Sequence, residues 1–167
     1  EFNFRLAGDP VIVRRSADGV EGFVGATPFA GVSDAEKALS PLGRRAWGAY
    51  CAGVVGMGRQ ADPGSANSEI FFMRSPARRL DHEYAVWGRV VDGMPAVLGA
   101  AVGEPPAKPD LLTRVRVAAD LALAERPRIE VLDERGEAFA RLVKKLRRER
   151  GADFTVCDVP VPVRRPD

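Results

Sequence analysis

The pattern that most constrains this chain is a recurrence of short stretches rich in β-branched and aromatic residues, each closed off by glycine, proline or aspartate. They run from Phe2 to Leu6, Val11 to Arg14, Gly22 to Gly25, Val54 to Gly58, Glu69 to Arg74 and Ala85 to Val91. Strands of this length alternate side chains between two faces and need neighbours for their backbone N–H and C=O groups. The spacing therefore predicts a mainly β sheet or barrel rather than a helical bundle. With 167 residues and 46% hydrophobic content, the chain has material for one compact domain burying about 70% of its unfolded surface. Among the strands, Ser33 followed by Glu36 three positions later is a capping-box pattern and predicts a short helix over Ser33 to Leu39, ended by Pro41.

Further along, "GEPPAKP" from Gly103 to Pro109 is too rich in proline for a helix or a central strand. Leu111 to Val117 then alternates as a half-buried strand would. This divides the chain into a β-rich body over 1–120 and a C-terminal extension over 121–167. Within the extension, 133–150 carries Ala138, Phe139, Leu142, Val143 and Leu146 at helical spacing, opposite Lys144, Lys145, Arg147, Arg148 and Arg150. That is an amphipathic helix, its apolar stripe packed on the body and its basic face in solvent; the alternative is a membrane-surface or partner-binding role. The closing "FTVCDVPVPVRR" alternates but holds Pro160 and Pro162, which suits an edge strand or extended arm.

Composition excludes several functions. Lys and Arg total 25 against 23 Asp and Glu, a net charge of +2, so this is no polycation built to hold nucleic acid. No apolar run reaches the roughly 20 residues of a membrane-spanning helix. One histidine and two cysteines without ligand spacing predict no metal site. Cys51 and Cys157 are either one bridge, in an oxidising compartment, or two buried thiols. His82, in "LDHEY", has no acid or serine partner readable nearby and is taken as a turn residue. Ser65 and Ser68 lack the G-x-S-x-G elbow of a hydrolase nucleophile.

The junction "DPGSANSEIFFMR" is different. Small polar residues from Asp62 to Glu69 run directly into a strand that sets Glu69, Phe71 and Met73 on one side and Ile70, Phe72 and Arg74 on the other. An aromatic residue on each face implies either a covering layer or an apolar groove, and the small polar loop leaves backbone N–H and C=O groups free to meet an extended ligand. "GMGRQADPGSANSEIFFM" followed by "LDHEYAVWGRVVDGMPAV" resembles the cyclophilin family of peptidyl-prolyl cis-trans isomerases, in particular its bacterial branch. There the runs read close to M-A-R-x-x-D-P-x-S-A-x-S-Q-F-F-I and L-D-x-x-Y-x-V-F-G-x-V-x-x-G-M. The resemblance spans about Gly53 to Val97, and Leu112 to Val117 is similar to the family's closing strand.

The resemblance implies a cyclophilin-like, eight-stranded antiparallel barrel with a peptide groove on its outer face, short helices, and here a C-terminal helical extension. It makes Phe71 the floor of a proline pocket, Leu80 a second wall, and Tyr84 the residue at a position where relatives carry His or Tyr. Gly58, Arg59 and Glu69 would line the neighbouring subsite, with Glu69 where glutamine is usual, and Met57 and Trp87 would pack behind as barrel residues. The implied activity is isomerisation of X–Pro bonds in folding proteins, with proline-containing polypeptides as partners and no cofactor. The alternative is a non-catalytic proline-peptide binding module or chaperone. The family's donor arginine lies in a segment of the form F-x-R-x-x-x-x-F-x-x-Q-G-G-D, which these 167 residues do not contain. It is expected upstream of Glu1, so the catalytic residue is unassigned here and 1–120 is expected to build only part of the barrel. Longer bacterial relatives are commonly exported, so a periplasmic location is expected and would suit a Cys51–Cys157 bridge; a cytoplasmic location with two thiols is the alternative.

Overall fold

The computed structural model describes residues 10–33 and 45–166. Within them β1 (Val11–Ser16), β2 (Gly19–Val24), β3 (Thr27–Gly31) and β4 (Ala46–Gly48) form one antiparallel sheet in that order. A second antiparallel sheet has β5 (Val54–Met57) at its centre, flanked by β6 (Ile70–Phe72) and β7 (Val86–Arg89). The turn between β2 and β3 is a two-residue loop in which Gly25 takes φ +56°, a left-handed geometry that matches the twist of a hairpin and that glycine adopts without steric cost.

Five of the six strand-forming stretches thus form strands, β1 and β2 longer and β5, β6 and β7 shorter than expected, while Phe2 to Leu6 and most of Ser33 to Leu39 lie outside the described residues. β3 and β4 carry little strand signal. One holds Pro28 and Gly31 and the other is three residues long, yet both are held by pairing to a neighbour. Leu111 to Val117 corrects the expectation of a strand: it forms no ladder, and its side chains stand in solvent, with Leu111 79% and Val115 76% exposed. Alternation shows which side chains would share a face, but a strand exists only where a second strand accepts its backbone, and none among the described residues does so here.

The two sheets meet at a close approach. Gly48 has no side chain because Val86 occupies the space: a Cβ at 48 would lie 2.4 Å from a Val86 methyl. Beside it, the Trp47 indole stacks on His82, centroids 3.7 Å apart, which ties β4 to the turn ahead of β7.

The core crosses the expected boundary at residue 120. Val13, Phe23, Tyr50, Val54 and Met73 pack in one cluster with Phe139, Phe154, Val156, Val159 and Val161. The amphipathic helix is present, but over Glu137–Arg150 rather than from 133. The Asp133 carboxylate accepts the Arg135 N–H at 2.9 Å and its carbonyl accepts from Gly136, so the chain turns there before the helix begins. From the helix Phe139 is driven edge-on against Phe23 at 5.5 Å. The arm that follows makes two short helical turns, at Gly151–Asp153 and Val156–Asp158, and near its end β9 (Val163–Arg164) pairs with β8 (Glu130–Val131).

Two links fasten the arm to the core, besides the exposed ion pair of Arg165 with Asp92. A disulfide joins Cys51 to Cys157 across 106 residues. Alongside it the buried Glu21 carboxylate accepts a hydrogen bond from the backbone N–H of Val156 at 3.1 Å, while Arg78 donates to its other oxygen at 2.6 Å and Arg14 lies 3.6 Å away.

Two outcomes are expected in urea unfolding followed by fluorescence. Replacing Glu21 with alanine leaves an N–H and a half-buried guanidinium without their acceptor and should cost about 3 kcal/mol. Reducing the disulfide releases a loop of about 100 residues in the unfolded chain and should cost about 2–4 kcal/mol.

Candidate functional site

The junction that stood out in the sequence becomes one face of the second sheet. Cross-strand register sets Gly56 opposite Phe71, and the ladder continues with Gly58 N–H donating to the Glu69 carbonyl at 2.7 Å. Opposite residues of an antiparallel pair point to the same side. Both glycines therefore leave room for their partners to lie across the strand. A Cβ at Gly56 would sit 2.5 Å from the Phe71 ring, and one at Gly58 would sit 2.8 Å from the Glu69 carboxyl carbon. An aromatic ring and a carboxylate end up side by side on this face.

Phe71 is held by the only two tyrosines in the chain. Tyr50 stacks parallel to it at 5.8 Å, and Tyr84 meets it edge-on at 5.6 Å. Tyr84 in turn lies under the Arg59 guanidinium, 5.0 Å from the ring centre. Leu80, half-buried, packs against the same core. Its position is set by the turn from Ala77 to Asp81: Ala77 N–H donates to the Tyr50 carbonyl at 2.8 Å, and the Asp81 carboxylate accepts the Tyr50 N–H at 3.0 Å. Arg78 clamps this turn by donating to Asp81 and to Glu21, each at 2.6 Å. Its burial lowers the guanidinium pKa, but the hydrogen bonds it donates to those two carboxylates outweigh this and the net shift is upward.

Of the residues expected to bind substrate, Phe71 and Tyr84 are in ring contact, Leu80 packs on the same cluster, and Gly58 and Glu69 form the adjoining shelf. Arg59 is present but committed. Its guanidinium donates to the carbonyls of Glu83, Gln60 and Ala61 and pairs with the Glu83 carboxylate at 3.0 Å, so it braces the rim. The small polar loop is likewise self-supported: Asp62 accepts the Gly64 N–H at 2.8 Å, and Ser65 Oγ accepts the Gln60 N–H at 2.9 Å. Met57 is half-buried, but Trp87 corrects the expectation of a residue packed behind the pocket. It is 59% exposed, as are Ile70 and Phe72 to about 40%, so the side of β6 away from Phe71 is open to solvent among the described residues.

Sequence reasoning missed Tyr50, the fully buried ring beneath Phe71. Its hydroxyl has no hydrogen-bond partner among the described residues, and burial, then the charge of Asp81 and the neighbouring Tyr84, push its pKa upward, so it stays protonated. Scarcity was the available signal, since a chain with two tyrosines places both on one ring. No cluster of His, Cys, Asp or Glu able to hold a metal occurs among the described residues. What the face can do is seat a compact apolar ring on Phe71, between Leu80 and Tyr84, beside a free carboxylate.

Comparison with known proteins identifies the family and the fold. Residues 27–117, more than half the chain, match the family described as cyclophilin type peptidyl-prolyl cis-trans isomerase/CLD. A solved cyclophilin, AquaCyp293 from Hirschia baltica, superposes with a TM-score of 0.82 at 31% identity, over 93% of this chain and 59% of that one. Proteins of Brucella abortus and Brucella suis named as probable peptidyl-prolyl cis-trans isomerases are 46% identical over 48 residues, 29% of this chain. The chain spans only 24% of the length of those relatives in that match.

Replacing Gly56 with alanine should force the Phe71 and Tyr50 rings apart, lowering stability by about 1–3 kcal/mol. The aromatic proton shifts of both rings, read by NMR, should move with it; unchanged shifts would show that the glycine does not set the ring stack.

Proposed function

The chain belongs to the cyclophilin-type peptidyl-prolyl cis-trans isomerase family, and from that premise we propose that it supplies the proline-binding part of an isomerase acting on X–Pro bonds in folding polypeptides. The observation that carries this is the ring assembly of Phe71 with Tyr50 and Tyr84, flanked by Leu80, set beside a loop whose backbone meets solvent. Rotation about an X–Pro bond faces a barrier of about 20 kcal/mol because the planar amide is resonance-stabilised. At the twisted transition state resonance is lost and the prolyl nitrogen gains a lone pair. An apolar seat that fixes the ring while the preceding carbonyl turns, together with a donor to that nitrogen, favours the twisted form over either planar one. Nothing is formed or broken, so the chemistry asks for no nucleophile, metal or cofactor.

The donor is proposed to come from the family segment F-x-R-x-x-x-x-F-x-x-Q-G-G-D, outside these 167 residues. The arginines nearest the seat support that assignment. Arg59 spends its N–H groups on Glu83 and two further carbonyls, and Arg78 on Glu21 and Asp81. The same observation favours a second reading, in which the chain holds proline-containing segments, as a chaperone would, without turnover. An exported, oxidising location fits the Cys51–Cys157 disulfide, since such bridges persist where thiols are not kept reduced.

Exchange NMR on a short Ala–Pro peptide tests this, with the chain as it stands and with a form extended to include the donor segment. Binding by both forms and faster isomerisation in the extended one are expected. Phe71→Ala should weaken binding by about 2 kcal/mol, roughly thirtyfold in Kd. An extended, folded protein that binds the peptide without accelerating exchange would overturn catalysis in favour of the binding module.

A further inference from the structure

Beside the proline seat stands a carboxylate with nothing to neutralise it. Glu69 is exposed and makes no ion pair or side-chain hydrogen bond among the described residues. Its neighbours explain why. Arg59, next to the Gly58 on which Glu69 rests, is bound to Glu83 and to backbone carbonyls. Asp62, the other acid on the rim, turns its carboxylate to the Gly64 N–H. Gly58 then gives the Glu69 side chain a place to lie, its carboxyl carbon against the glycine where a Cβ would come within 2.8 Å. The same device on the same strand lets Phe71 lie over Gly56.

The spacing converts this into a preference for one class of ligand. Positions 69 and 71 share a face and are separated by two strand residues, roughly 6.8 Å. A ring seated on Phe71 fixes where the rest of a peptide can go. The residue before a proline is held extended by its clash with the proline Cδ, so its side chain is carried clear of the ring toward the neighbouring shelf. A lysine there carries its charge on a flexible four-carbon stem, which covers the remaining distance to Glu69. An acidic residue at the same position would meet a like charge.

We propose that Glu69 selects peptides with a basic residue immediately before the proline. This rests on the proline seat described above and adds the class of segment that it receives. Both partners stay partly in water, so the effect is that of an exposed ion pair: about two- to fivefold tighter binding for Lys–Pro than for Ala–Pro, and a similar weakening for Glu–Pro.

The test is a titration of the whole chain with three otherwise identical peptides, Lys–Pro, Ala–Pro and Glu–Pro, followed by amide shift changes in NMR. It is repeated with Glu69→Gln and in about 1 M salt, where screening acts over ~3 Å. The order Lys, Ala, Glu, erased by the substitution and by salt, is the expected result. Equal binding of the three peptides would overturn the selectivity while leaving the proline seat intact. An order that persists in Glu69→Gln would also overturn it, since the charge responsible would then lie elsewhere. If none of the peptides binds, the seat itself is wrong and the selectivity falls with it. The amide spectrum of Glu69→Gln, compared with the parent, shows in each case that the fold is retained.

Discussion

A carboxylate taken out of water is a liability unless donors surround it, and Glu21 is surrounded by donors from three separate parts of the chain. Arg14 lies in its own sheet, Arg78 in the turn that carries Leu80, and the Val156 N–H in the arm. Each of those parts is positioned partly by reaching this one side chain. The turn that presents Leu80 is fixed at one end by Arg78 to Glu21 and at the other by Asp81 to the Tyr50 backbone, and Tyr50 is the ring beneath Phe71. The face around Phe71 and Leu80 is thus set by polar contacts that lie away from its exposed surface.

Small residues do the complementary work. Gly48 lets the two sheets meet, while Gly56 and Gly58 leave open the strip of β5 on which Phe71 and Glu69 rest. Side chains at these positions would fill the space that the site uses. The site is therefore shaped as much by three missing Cβ atoms as by the aromatic groups above them, and the polar loop from Asp62 to Ser68 needs no contribution to the core.

Much of this was legible in the sequence where the information is local. Alternation and turn residues located β1, β2, β5, β6 and β7, and the helical stripe located Glu137–Arg150, because side-chain period is a property of a few consecutive residues. The motif around Phe71 likewise marked the face where Tyr84 meets that ring. What stayed hidden depends on partners far along the chain. Glu21 bonds to a residue 135 positions away, and nothing near it in sequence marks it as buried. Arg59 looked available for a ligand because its role as a brace is visible only once Glu83 is brought beside it. Leu111 to Val117 shows the reverse failure, a correct local period with no second strand among the described residues to make it a ladder.

The arm also has a bearing on when this protein can take shape. Residues 154–161 are made about 100 residues or more after Val13, Phe23, Tyr50 and Val54, yet their side chains occupy the same cluster. Contacts of such long sequence separation are slow to close, and synthesis proceeds at only about 5–20 residues per second. For several seconds of its making, the nascent chain holds β1, β2 and β5 around a gap that only the arm can fill. Completion of the core is thereby deferred until the arm has been synthesised.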